Sequence, residues 1–376
     1  MLFNFFMRVI IPTIIIYVCE YDMTKGRIGS YDDETQHVWE VVANMVRSRG
    51  IPQYVTRWKY HENNGSRIRH GIYEIAERLR AYHLHSMLFD LRGDGSRYVP
   101  TIQQKRARAE EDAEEERGLK KRSRRWSARE KENALRRPTV FSYDTRTGVG
   151  TITFYSFSNL SLSDDEFQKR KAILASELRD TLRDWETRRP VGLTGLVLDF
   201  RRHSGGSMYP IMLGMAPYLE GTPLYAIVKT MDAPDTNARV WLTIPKSIGI
   251  SETVWKSNDD LPKVRHDGKK VTLPRADKVP IAVLIGKDTS SAGEFAAAMF
   301  VGKRGARSFG SLTDGEYFSY NEWHDVHRRF GVAITEGLVV LSDGTIVEGS
   351  LHPDIITRNP MRSAKLWLRT TRDITA

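Results

Sequence analysis

An α/β fold with largely parallel strands is the class this sequence predicts, and two observations carry it. After Pro138 short apolar runs alternate with longer amphipathic stretches, the pattern of strands joined by crossover helices. Two of those runs, GLVLDF at Gly195–Phe200 and the run opening at Val279, are almost wholly apolar, as buried strands are.

The elements follow in order. From Asp32 to Leu91 the pattern is helical: Val38, Val41, Val42, Met45 and Val46 fall at helical spacing, and a second helix is predicted over Ile72–His83. Gln103–Arg137 then carries almost no large aliphatic residue, so it cannot bury a core of its own and reads as a solvated helix, an inserted arm or disorder. Its basic stretch Lys120–Arg125 is a candidate tether to an acidic partner or membrane. Beyond it the spacing predicts a strand at Val149–Tyr155, a long helix at Asp164–Trp185, a strand at Gly195–Phe200 and a helix at Ile211–Leu219 cut short by Pro217. A strand at Leu224–Val228 comes next, and a hairpin turns at Ser342-Asp343-Gly344 between Leu338–Leu341 and Thr345–Val347. The domain organisation expected is an apolar segment over residues 1–20, a helical region over 28–100, a charged insertion over 101–137 and an α/β core over 138–376.

Composition narrows the function classes. The chain has 376 residues, 40% of them hydrophobic, and a net charge of +10, enough for a large core. Its 57 basic residues are interspersed with 47 acidic ones, and no RNA-binding aromatic signature or zinc-finger spacing accompanies them, so nucleic acid is not an expected partner. The single cysteine, Cys19, excludes an intramolecular disulfide and any cysteine metal cage. Leu2–Cys19 is apolar but for interruptions such as Arg8 and Pro12. It reads either as a signal or membrane anchor or as a buried first element.

The segment Val279–Phe300, VPIAVLIGKDTSSAGEFAAAMF, predicts strand, turn, serine, helix. A hydroxyl at that turn stands beside unpaired backbone N–H groups and the positive end of a helix dipole, where developing negative charge is stabilised. Ser291 is therefore a candidate nucleophile. It is equally the expected cap of a helix, with Glu294 three residues on completing a capping box. Asp199–Ser207, DFRRHSGGS, carries Gly205 and Gly206, which lack a Cβ and can present N–H groups inward; a plain strand-to-helix turn is the other reading. At Ala81–Phe89, AYHLHSMLF, His83 or His85 could supply the base a serine needs, beside Ser86. Histidines at a helix end also meet the dipole with no catalytic role. His324 and His327 flank Asp325 but lack a third ligand at convincing spacing, and read as a polar loop after Tyr320. No P-loop is present, and no cofactor is called for.

A histidine-serine pair, a strand ending in D-x-R-x-x-x-G-G, the sequence T-S-S-A-G-E and a terminal E-G-x-x-x-P-D (EGSLHPDI, Glu348–Ile355) occur in that order. Together they resemble the tail-specific serine peptidases, a family that includes the tricorn protease core and the interphotoreceptor retinoid-binding modules. The resemblance implies a core similar to the crotonase and Clp-protease architecture behind a small N-terminal helical region, and a polypeptide substrate. It places the nucleophile on Ser291 and the oxyanion donors on the N–H of Ala292 and of Gly205 or Gly206. The lysine-dependent branch has T-x-G-K after the serine, whereas here Thr313-Asp314-Gly315 is followed by Glu316. That departure points to the tricorn-like branch, with His85 as base, Ser86 beside it and Glu348 as orienter. No PDZ domain is expected, since only the charged block stands at its place. His203 replaces an asparagine usual in the glycine loop, and His83 an aspartate usual nearby. A catalytically silent relative binding an apolar ligand or a protein is the alternative, and an acyl-CoA-handling enzyme a third reading that no motif supports. The partners expected are thus a polypeptide and, through the N-terminus, a membrane; self-association into a homo-oligomer stays open.

Overall fold

The structure is a computed structural model describing residues 33–49, 72–82, 86–90, 97–99, 138–158, 163–229, 240–244, 261–275, 277–326 and 330–375. Leu2–Cys19, the charged block and the histidines His83 and His85 lie outside the described residues. No described helix is long and apolar enough to cross a membrane.

The expected α/β architecture is present as two sheets. The first holds β3 (Thr139–Asp144), β4 (Val149–Phe157), β5 (Gly195–Gly206), β9 (Ile281–Ile285), β10 (Ala306–Gly310) and β14 (Ile355–Ile356). Its order is β14-β10-β9-β5-β4-β3, parallel throughout except for the edge strand β3. Alternate residues of the central strands feed opposite faces, as a pleat demands. Leu196, Leu198, Ile281, Val283 and Ile285 join the main core beneath the long helix α3 (Asp164–Thr187), while Val197, Ala282 and Leu284 meet Ala364 and Leu368 of α6 (Pro360–Thr375). Covering on both faces is why these strands are apolar without alternation.

Helix α3 starts at a complete capping box: the Glu166 N–H donates to Ser163 Oγ at 3.4 Å, and the Ser163 N–H donates to the Glu166 carboxylate at 3.1 Å. It buries Leu174, Leu178, Leu182 and Trp185 along one stripe. The helix expected over Ile211–Leu219 is shorter: α4 covers Tyr209–Gly214, and Ala216–Tyr218 forms a 3-10 turn around Pro217, whose ring cannot continue the α hydrogen-bond ladder.

The second sheet is antiparallel and is built on β12 (Phe330–Leu341), every residue of which is buried. Its first half is flanked by β1 (Met87–Asp90) and β11 (Tyr320–Asp325), its second by β6 (Pro223–Lys229) and β13 (Ile346–Val347). The predicted hairpin at Ser342-Asp343-Gly344 joins β12 to β13, with Val339 opposite Val347. Strand β2 (Arg97–Tyr98) pairs β1, and β7 (Val240–Thr243) and β8 (Lys263–Arg265) extend the sheet beyond β6. Helices α1 (Asp33–Arg49) and α2 (Ile72–Tyr82) lay Val38, Val42, Val46, Ile75 and Leu79 onto Leu88, Val332 and Ile334. The purely helical reading of the N-terminal region is corrected here, because Met87–Asp90 is a strand. The polar loop expected after Tyr320 is likewise a strand, β11, paired along β12.

A buried cation lies within this frame. Lys303 donates from Nζ to the Leu224 carbonyl at 3.1 Å, and burial pushes its ammonium down to about 7, with Asp343 opposing the shift.

Candidate active site

Strand β9 ends at Ile285, and the chain turns through Gly286–Ser291 into α5 (Ala292–Ala298). This is the carboxyl end of the parallel strands, where α/β sheets present their ligand sites. Thr289 pins the turn: its Oγ1 accepts the Gly286 N–H and donates to the Phe200 carbonyl, both at 3.0 Å. The Ser290 N–H donates to the His203 carbonyl at 3.1 Å, and the Asp314 N–H to the Thr289 carbonyl at 3.0 Å. The turn is thereby held between the end of β5 and residues 313–315.

The two serines differ in what their hydroxyls do. Ser290 Oγ donates to Asp314 Oδ2 at 2.7 Å. Ser291 Oγ is buried and has no hydrogen-bond partner among the described residues. Ser291 also has φ +53° and ψ −122°, a left-handed conformation that L side chains rarely adopt. Such strain persists only where the surroundings enforce it, and a strained strand-to-helix turn that projects a serine is how hydrolases expose a nucleophile. Only one half of the expected capping box supports the helix: the Glu294 carboxylate accepts the Ser291 N–H at 2.8 Å, while the hydroxyl makes no capping bond.

Glu294 is more than a cap. It is fully buried, and its other oxygen accepts from the Thr313 hydroxyl and, at 2.9 Å, from the Gly315 N–H. Burial pushes its carboxyl up to about 7, against the three donors that favour the ionised form. Thr313 Oγ1 in turn accepts the Leu351 N–H at 2.8 Å. One carboxylate thus binds the serine turn to Thr313-Asp314-Gly315, the segment the sequence reading valued only for its missing lysine. A glutamate three residues after a helix-entry serine was its sole signal.

The glycine loop is the irregular end of β5 rather than a free loop. β5 runs to Gly206, with register shifts against β4 before Tyr155 pairs with Arg202 and Phe157 with Gly206. Gly205 and Gly206 have φ of +132° and +107°, and a Cβ on Gly206 would lie 2.0 Å from the Phe157 carbonyl oxygen. Gly293 packs just as closely: a Cβ there would stand 2.1 Å from the His203 carbonyl oxygen and 2.9 Å from its Nδ1. Only a glycine lets α5 approach the loop. The Gly205 N–H leans on His203 Nδ1 at a long 3.4 Å. His203 itself is fully buried, burial pushes its pKa down to about 4, and its Nε2 has no partner among the described residues. The Ala292 N–H occupies the first helical position, where no intrahelical acceptor exists.

The remaining sequence candidates fall as follows. Ser86 is fully buried, and its Oγ accepts the Thr335 N–H at 3.0 Å, next to the Tyr82 hydroxyl, which donates to the Thr335 carbonyl at 2.7 Å. Glu348 follows β13 and is exposed. Glu316, at the position of the absent lysine, pairs with Arg80 of α2. His324 Nε2 meets the buried Glu336 carboxylate at 2.6 Å, and among the described residues no three His, Cys, Asp or Glu side chains converge as a metal site. In the terminal motif, Asp354 accepts the Ser308 N–H and hydroxyl, both at 2.7 Å, and so fastens the segment before β14 to β10.

A parallel sheet ending in a strained serine at a helix entry, faced by a glycine loop, is an arrangement that serine hydrolases share. Residues 148–357, more than half of the chain, match the model of peptidase family S41, and the chain belongs to that family. It is 29% identical over 177 residues to the nisin-resistance protein of Lactococcus lactis subsp. lactis. The match covers 47% of this chain and 50% of that relative, so the chain spans about half the length of the curated relative it matches. A lipoprotein from Streptococcus agalactiae shares the fold with a TM-score of 0.52 at 18% identity, over 89% of this chain and 96% of that one. The photosystem II D1 C-terminal processing protease aligns with a TM-score of 0.39 at 16% identity, over 59% of this chain and 48% of that one.

Proposed function

We propose that this protein hydrolyses peptide bonds with Ser291 as nucleophile, His85 as general base, Glu348 as the group that orients the imidazole and Ser86 beside it. The observation that carries the reading is the Ser291 turn, with its positive φ and a buried hydroxyl that has no partner among the described residues. In the first step Ser291 Oγ adds to the scissile carbonyl while His85 takes its proton. The oxyanion lies against the N–H groups of Ala292 and of Gly205 or Gly206, and His85 then returns the proton to the leaving amine. Water, deprotonated by the same imidazole, hydrolyses the acyl-enzyme. At Gly205 the donor must first leave His203 Nδ1. The names of the relatives, a lipoprotein and a nisin-resistance protein, support an exported or membrane-associated setting and a peptide as substrate.

A fluorophosphonate probe tests the assignment. Wild type is expected to be labelled stoichiometrically, and Ser291→Ala not at all. Folded wild type that takes no label, or equal labelling of both, overturns it in favour of a silent binding protein.

A further inference from the structure

Arg80 of α2 and Glu316 form an ion pair, Nη2 to Oε1, across 236 positions of sequence. Their side chains are only 15% and 28% exposed, so water screens the attraction less than it does between surface charges. Tyr317 lies against both partners; burial and the Glu316 charge push its hydroxyl up to about 12, with Arg80 opposing the shift. It therefore stays protonated, able to donate to the carboxylate. Where the lysine-dependent branch keeps its lysine, this chain has a glutamate engaged with a helix.

Each partner is rooted in a different part of the fold. Glu316 follows Thr313-Asp314-Gly315, which is fastened to the serine turn: the Ser290 hydroxyl donates to Asp314, the Asp314 N–H to the Thr289 carbonyl, and Thr313 and Gly315 to Glu294. Arg80 stands in the last turn of α2, a helix packed on the second sheet through Ile75 and Leu79. That packing is apolar and has no preferred direction, so it holds the helix down without fixing where along its axis the helix ends. A guanidinium–carboxylate pair is directional, and it ties that end to the segment that holds the serine turn. On the β12 side, the Tyr82 hydroxyl donates to the Thr335 carbonyl and Ser86 Oγ accepts the Thr335 N–H. His85, the proposed base, comes between Tyr82 and Ser86 in sequence. We infer that Arg80 and Glu316 are positioning residues, whose pair sets the end of α2 against the Ser291 turn and so the approach of the base to the nucleophile. The inference rests on the peptidase reading of the site.

The test follows phosphonylation of the full chain by the fluorophosphonate probe over a range of probe concentrations, which separates the maximal rate from the half-saturating concentration. Arg80→Glu and Glu316→Arg are each expected to lower the maximal rate about ten- to hundredfold, as a misplacement of about 1 Å does, with the half-saturating concentration unchanged. The double reversal Arg80→Glu, Glu316→Arg is expected to recover to within about threefold of wild type. A pair that served the fold alone would lower the unfolding midpoint of the single variants but leave the maximal rate of the folded protein as in wild type, and that result overturns the inference. So do single losses that the double reversal does not repair, or a change confined to the half-saturating concentration, which would assign the pair to probe binding. Should a reversal misfold, Glu316→Gln keeps the volume without the charge and is expected to lose about three- to tenfold; a wild-type rate there overturns the inference as well. Folded wild type that takes no label overturns the peptidase reading and this inference with it, whereas labelled wild type with indifferent variants overturns this inference alone.

Discussion

The His203 carbonyl and the Ser290 N–H meet at 3.1 Å, joining the end of β5 to the serine turn one residue before the candidate nucleophile. Gly293 makes this approach feasible, since its missing Cβ leaves room for that same carbonyl. Gly293→Ala is expected to push the loop and helix apart, lowering the unfolding midpoint by several degrees and abolishing fluorophosphonate labelling. A folded variant with wild-type labelling would show that the close approach does not shape the site.

Glu294→Gln is expected to destabilise the protein. The amide keeps the volume but turns one acceptor into a donor, facing either the Ser291 N–H or the Thr313 and Gly315 donors, and a mismatch of that kind costs about 1–3 kcal/mol. Because the native carboxyl titrates near 7, above its ordinary value of 4.5, the native state keeps this proton where the unfolded chain has lost it. That contribution is complete below pH 4.5 and is lost as pH rises through 7. Urea titrations at several pH values should show the gap between wild type and variant narrowing over that window.

Lys303 has the opposite sign. Its ammonium is pushed down from 10.5 to about 7, so the unfolded chain binds the extra proton and stability rises with pH between those values. Lys303→Met removes the buried charge and is expected to raise stability at pH 7, by on the order of a few kcal/mol at most. The advantage should shrink towards pH 10. An advantage that holds constant over that range would mean the ammonium is not the cause.

Ser86→Ala should leave the buried Thr335 N–H without its acceptor, at a cost of about 1–3 kcal/mol. Ser86→Thr keeps the oxygen and should restore most of the stability. Comparing kcat and KM of the two variants separates roles. Loss of kcat in Ser86→Thr with stability recovered would assign the hydroxyl to the reaction as well as to the strand.

Much of this was legible beforehand, and for a physical reason. The helix α3, the strands β5 and β9 and the hairpin after Leu341 rest on local pattern: a capping pair, short apolar runs, an Asp-Gly turn. The strand-turn-serine-helix order is local as well, so Ser291 could be singled out from a short window. What escaped depends on partners remote in the chain. Glu294 looked like an ordinary cap because Thr313 and Gly315, its other donors, carry no mark of facing it. Met87–Asp90 reads as a helix end until β12 supplies the ladder, and His324 looks like a loop residue until Glu336 on the neighbouring strand accepts its ring. The pairing of Arg80 with Glu316 was equally hidden, since only the fold brings together positions 236 apart.

Ser86 and Thr335 are separated by 249 positions in sequence, which sets an order in time during synthesis on the ribosome. The serine turn has all its partners once residue 315 has been added, whereas the corner at Ser86 has no strand to rest on until β12 has followed. At about 5–20 residues per second the interval lasts roughly a few seconds. Throughout it the nascent chain carries the turn without the corner proposed to serve it.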